Sequence, residues 1–197
     1  MRWAAPPYRI VTANGASYPA QWIGSPLDQT FDQTLDHGDL GESRLDLALL
    51  QVSQTPPVLP MLRQNPPPWN PQSRTLAAPF PVFFSGWFLS DVGDKTLEEI
   101  GEMTWQTTEA RLVYHLRQPL RQGAHWAYTH QVHKGQSGGP VLDSQGYLLG
   151  INTIHARPLF PLGHFYEDGT QPDRAVQGLI DRYNWAIPSD RLSIFSQ

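Results

Sequence analysis

The chain has 197 residues, 16% of them charged, with 19 prolines, no cysteine and a formal net charge of −4. A mildly acidic chain offers no basic field to a nucleic-acid backbone, and its apolar runs fall far short of the ~20 residues that span a bilayer. Without cysteine there is no disulfide, no thiolate metal site and no cysteine nucleophile, while 40% hydrophobic and 11% aromatic residues are too many for a disordered chain.

The length suits one β domain or two small barrels packed as a unit. The first residues, Met1 to Pro7, have no apolar core of a signal peptide. Tyr8 to Thr12 alternates polar and apolar residues, Asn14-Gly15 is a strong hairpin turn signal, and Ser17 to Ile23 reads as the return strand. Residues 25–44 carry Asp28, Asp32, Asp36, Asp39 and Glu42 against Arg44. That composition fits a solvated acidic loop better than a calcium loop, which needs a turn glycine and a closing glutamate at set positions. Leu45 to Val52 is a short apolar run with one acid, Asp46, and suits a buried strand.

Residues 56–81 hold nine prolines. Proline lacks the N–H that helices and ladders use, so this stretch reads as a stiff connector, with a polyproline ligand for a partner module as the alternative. Beyond it, short strands are expected at 82–88, 103–108, 111–116, 126–131, 140–143 and 147–153, punctuated by turn residues. Apolar residues at 175, 178, 179 and 183 fit one short helix over 174–183. Residues 185–188 read as a last strand and 191–195 as a terminal helical turn. The pattern as a whole is all-β, as a barrel or sandwich.

The segment that carries chemistry is Gly135-Gln136-Ser137-Gly138-Gly139-Pro140. A serine hydroxyl is a weak nucleophile and must be held in the open beside a base. Its attack creates an oxyanion, which needs backbone N–H groups aimed at one point, and glycine permits the backbone angles that turn them there. The same residues satisfy Gly-x-Ser-x-Gly, but an α/β-hydrolase elbow needs a helix directly after the serine and its acid later in the chain. Pro140 and a hairpin pattern follow instead, and Asp46 comes before.

This segment resembles the nucleophile loop of trypsin-like serine peptidases. Val141 to Asn152 looks like the hairpin that follows the serine in bacterial members, and Leu45-Asp46-Leu47-Ala48-Leu49-Leu50 like the segment carrying the catalytic aspartate. Residues 8–23 resemble the hairpin between the family's histidine and aspartate; 163–170 and 184–188 resemble the C-terminal part of cysteine-free bacterial members.

The resemblance implies a double β-barrel with the first barrel incomplete and a short helix near the C-terminus. Residues 1–55 would carry the acid, 56–80 would connect, and 81–197 would form the barrel with the nucleophile. It implies Ser137 as nucleophile, Asp46 as orienting acid, and the N–H groups of Gly135 and Ser137 as the oxyanion site. Gln131, Lys134, Asn152, Thr153, Ile154 and His155 would line the substrate groove, with Thr153-Ile154-His155 as the edge that pairs with substrate backbone. Gln131 at the pocket base supplies no acid to select Lys or Arg. Gln136 replaces the aspartate that zymogen-activated members pair with a freshly cut N-terminus.

The family's general base is a histidine placed ahead of the hairpin at 8–23. The histidines of this sequence are at 37, 115, 125, 130, 133, 155 and 164. His37 falls on the wrong side of the hairpin, and His130 and His133 fall on the pocket wall; as a His-x-x-His pair they make two ligands, short of a metal site. Two readings stay open: an endopeptidase whose histidine-bearing segment is missing from this chain, and a non-catalytic relative that binds peptides. Either takes a polypeptide, with no cofactor, metal, nucleic acid or membrane expected and the oligomeric state left open. The compartment is undetermined, periplasmic or secreted if a missing N-terminal segment carries a signal.

Overall fold

The computed structural model describes residues 8–11, 16–24, 47, 49–53, 75–89, 103–129, 136–154 and 164–196. Strands β1 (Tyr8–Val11), β2 (Ser17–Gly24) and β3 (Leu49–Val52) form a three-stranded antiparallel sheet in that order. The expected hairpin is present, with Tyr8 opposite Ala20 and Val11 opposite Ser17; its Asn14-Gly15 turn lies outside the described residues. Tyr8 and Trp22 place their ring centroids 6.3 Å apart on this sheet.

The remaining strands close a barrel. They are β4 (Thr75–Leu89), β5 (Met103–His115), β6 (Trp126–Thr129), β7 (Pro140–Leu142), β8 (Leu148–Ile154) and β9 (Asn184–Pro188). Their order around the barrel is β4-β5-β6-β9-β8-β7, with β7 returning to β4 at Phe83 and Phe84. Side chains alternate across a strand, so Val82 and Phe84 of β4, Ala110 and Leu112 of β5, and Trp126 and Tyr128 of β6 meet Val141, Leu149 and Ala186 in one buried interior.

Two differences from the sequence expectation have physical reasons. The strands expected at 103–108 and 111–116 are one strand, β5, because Glu109-Ala110 supplies no turn residue and Ala110 pairs directly with Val82. β4 begins at Thr75, inside the proline-rich stretch. Pro79 falls within a register shift between Thr75 and Phe80, where a ladder hydrogen bond is not required. Pro81 lies beyond the short β7 pairing and has a ladder partner, Arg111, on its other side.

The helix α1 (Arg174–Ile180) starts where Asp173 accepts a hydrogen bond from the Val176 N–H at 2.9 Å, an N-cap that satisfies one of the orphan donors of the first turn. Its Val176, Leu179 and Ile180, with Tyr183, cover Ala127 and Trp185 on the outside of the barrel. That second core explains why β6 is buried on both faces rather than alternating. A 3-10 helix (Ser189–Ser196) ends the described chain.

Candidate active site

Ser137 stands exposed in a turn between two buried anchors, Gln136 and Gly139. The turn is closed by the Gly139 N–H donating to the Gln136 carbonyl at 3.1 Å. Gly138 adopts φ +84°, a conformation L side chains rarely take. Gly139 is pressed against β4: a Cβ there would lie 2.1 Å from the carbonyl oxygen of Ser85. The sequence therefore needs two adjacent glycines for different reasons, one for its backbone angle and one for its lack of volume. Ser85 is itself buried, and its hydroxyl lies 2.7 Å from that of Thr107 on β5.

Strand β8 holds the loop from the other side. The Gly138 N–H donates to the Asn152 carbonyl at 2.8 Å, and the Asn152 N–H donates to the Gly139 carbonyl at 2.9 Å. The Asn152 side chain adds a third tie, its Nδ2 donating to the Gln136 carbonyl at 3.1 Å. Its Oδ1 accepts a hydrogen bond from the Tyr128 hydroxyl of β6. Tyr128 is fully buried, stacked on Phe84 with ring centroids 6.0 Å apart, and burial pushes its hydroxyl pKa well above the usual tyrosine range. The Ser137 N–H, by contrast, finds no acceptor among the described residues.

At the end of this turn, Asp143 caps the β7–β8 hairpin. Its Oδ1 accepts from the N–H groups of Gln145 and Tyr147 at 2.8 and 2.9 Å. The hairpin thus fixes where β8 runs relative to the serine, and β8 carries Asn152, Thr153 and Ile154 past the loop. Asn152 is 1% exposed, whereas Thr153 is partly exposed; the Thr153 hydroxyl is buried with no partner among the described residues.

Of the residues singled out from the sequence, Ser137, Asn152, Thr153 and Ile154 lie in one region, the 136–139 loop and its flanking strand β8. Asp46, Gln131, Lys134, Gly135 and His155 lie outside the described residues, as do His37, His130 and His133. The residue after Asp46 is described: Leu47 is buried against Ile187 of β9, with Ile151 of β8 and Leu192 packed on them. The apolar segment that contains the acid therefore meets the barrel one residue before Asn152 on β8.

Sequence reasoning did not identify Tyr128 or Ser85 as part of this region. Both occur in strand patterns that read as ordinary core, and their roles arise from contacts across 24 positions for Tyr128–Asn152 and from the packing of β4 for Ser85. The apolar run around Tyr128 signals burial alone.

A second polar cluster lies where β5 meets β6. The rings of His115 and His125 are 4.3 Å apart. Burial, then the neighbouring His115 and more distantly Arg191, lower the His125 pKa to about 4, against a hydrogen bond with the Leu116 backbone that works the other way. Its Nε2 is buried without a partner among the described residues. Among the described residues no group of three metal-ligating side chains comes together, and no helix is long and apolar enough to cross a membrane.

Comparison with known families matches the sequence model described as a trypsin-like peptidase domain to residues 5–151, a span that contains both Asp46 and Ser137. No curated protein matches the chain.

Proposed function

The chain belongs to the trypsin-like peptidase family, and from that premise we propose that it is a serine endopeptidase that cleaves peptide bonds through Ser137. The Ser137 Oγ attacks the scissile carbonyl while a histidine takes its proton and later delivers it to the leaving amine; water then hydrolyses the acyl-enzyme. Asp46 orients that histidine. In this reading the base lies on the N-terminal side of the β1–β2 hairpin, a position that none of the histidines in these 197 residues fills. The acid belongs to the N-terminal unit of residues 1–55, and the nucleophile to the barrel whose first strand, β4, begins at Thr75 inside the stretch expected as a connector.

The observation that carries the reading is the geometry of the loop. Ser137 is exposed between two buried anchors, the surrounding backbone groups are hydrogen-bonded, and its own N–H finds no described acceptor. Such a donor is preorganised for charge that develops only in the transition state, with Gly135 N–H as its partner. The packing of Leu47 on Ile187 supports placing the Asp46 segment beside this barrel. In this reading Thr153, Ile154 and His155 would pair with substrate backbone, and Gln131 and Lys134 would line the groove beside them.

The test is peptide hydrolysis by the 197-residue chain with and without added imidazole as a diffusible base. Turnover is expected to be weak alone, to rise with imidazole, to vanish in Ser137→Ala and to fall at least tenfold in Asp46→Asn. Turnover that persists in Ser137→Ala overturns the assignment. Fast turnover without imidazole that is lost in His37→Ala would place the base at His37. Peptide binding without turnover in either condition would favour a non-catalytic, peptide-binding relative.

A further inference from the structure

We propose that Asn152 and Tyr128 form a brace that fixes the nucleophile loop from inside the barrel, as positioning residues for Ser137. The inference rests on Ser137 being the nucleophile, and it assigns Asn152 a structural task behind the substrate groove. Three observations carry it.

Asn152 is buried at 1% exposure, and both ends of its carboxamide are engaged within the protein. The Gln136 carbonyl has lone pairs and no proton, so it can only accept; this turns the Asn152 NH2 toward it and the Asn152 oxygen toward Tyr128. The Tyr128 hydroxyl must then donate. The chain of bonds has one direction: from Tyr128 on β6, to Asn152 on β8, to the carbonyl of the residue before Ser137.

The backbone bonds of Asn152 repeat the same connection. Asn152 contacts Gly138 through its carbonyl, Gly139 through its N–H and Gln136 through its side chain, so one residue holds three of the four residues at 136–139. Ser137 is the one it leaves free. An apolar residue here would keep the two backbone bonds but leave the buried Tyr128 hydroxyl without its acceptor and weaken the hold on Gln136.

The third observation is the packing on the inner side. Tyr128 is packed on Phe84, which pairs with Val141 at the start of the segment leaving the loop. The brace is therefore anchored on the same core that fixes β7, the strand that follows Gly139. A loop tied to that core at both ends moves little when charge develops on its outer face.

The experiment is amide hydrogen exchange, read residue by residue by NMR, on the unaltered chain and on Tyr128→Phe and Asn152→Leu. Tyr128→Phe removes one hydroxyl and keeps the ring on Phe84, so it decides the matter even if Asn152→Leu does not fold. The reporters are the N–H groups of Gly138 and Gly139 in the loop. The control is the Leu116 N–H, which donates to the His125 carbonyl elsewhere in the barrel at 3.0 Å.

Exchange at Gly138 and Gly139 is expected to accelerate about tenfold in Tyr128→Phe while Leu116 stays unchanged. Phosphonylation of Ser137 in the presence of imidazole should slow by a similar factor. Acceleration at Leu116 by the same factor as at Gly138 would mean a general loss of stability and would overturn the brace, as would unchanged exchange at Gly138. The two readings fail separately: a Ser137 inert in the unaltered chain refutes the nucleophile, while the exchange comparison still decides whether the loop is braced.

Discussion

At Gly139 a single methyl group decides whether the Ser137 loop can close, because the Ser85 carbonyl occupies the space a Cβ would need. Neighbouring Gly138 has open space around the same position and is constrained by its positive φ alone. The two substitutions should therefore differ. Gly138→Ala is expected to cost about 1–2 kcal/mol for a left-handed backbone. Gly139→Ala should cost more than that, since backbone must move, and it should reduce Ser137 reactivity at least tenfold. Urea denaturation and probe labelling of both variants check this; equal costs would mean that the loop accommodates the methyl by a simple shift. These glycines were legible in the sequence because the demand for unusual backbone angles and close approach leaves few residue choices. The Tyr128–Asn152 bond was not, since nothing local in a buried strand tells a tyrosine hydroxyl which strand it will meet.

Among the elements, β5 and β6 meet at a pH-sensitive contact. His115 closes β5, His125 directly precedes β6, and their rings lie 4.3 Å apart. The His125 pKa is lowered to about 4, by burial first and by His115 second. An unfolded chain binds this proton near pH 6.5. Between those values the unfolded state holds more protons than the folded one, so stability is full above pH 6.5 and falls as the pH drops toward 4. The loss is on the order of 3 kcal/mol from this group. An NMR titration should place the His125 midpoint well below 6.5, and His115→Gln should raise it part of the way, leaving the effect of burial. A midpoint near 6.5 in the unaltered chain would contradict the account. The strands themselves were largely visible as alternation between turn residues. The joining of 103–115 into one strand was not, because its continuity depends on the β4 partner rather than on its own residues.

For the molecule as a whole, the relation between the three-stranded sheet and the closed barrel decides whether the proposed acid, Asp46, and the proposed nucleophile, Ser137, work together. Leu47, next to Asp46, is buried on Ile187 and so ties the acid-bearing segment to the barrel that carries Ser137. The order of these residues along the chain was readable from sequence, 46 before 137, and so was the trypsin-like architecture. The contact through Leu47 was not, since an apolar residue announces that it will be buried and not against what. The central claim is that one serine, held open by a loop locked to the barrel, is the nucleophile. The most direct measurement is reaction of the 197-residue chain with a fluorophosphonate in the presence of imidazole, with the modified residue located by mass spectrometry. The account predicts a single adduct on Ser137, slow without imidazole and absent from Ser137→Ala. An adduct on another serine, or an unmodified Ser137 under those conditions, would contradict it.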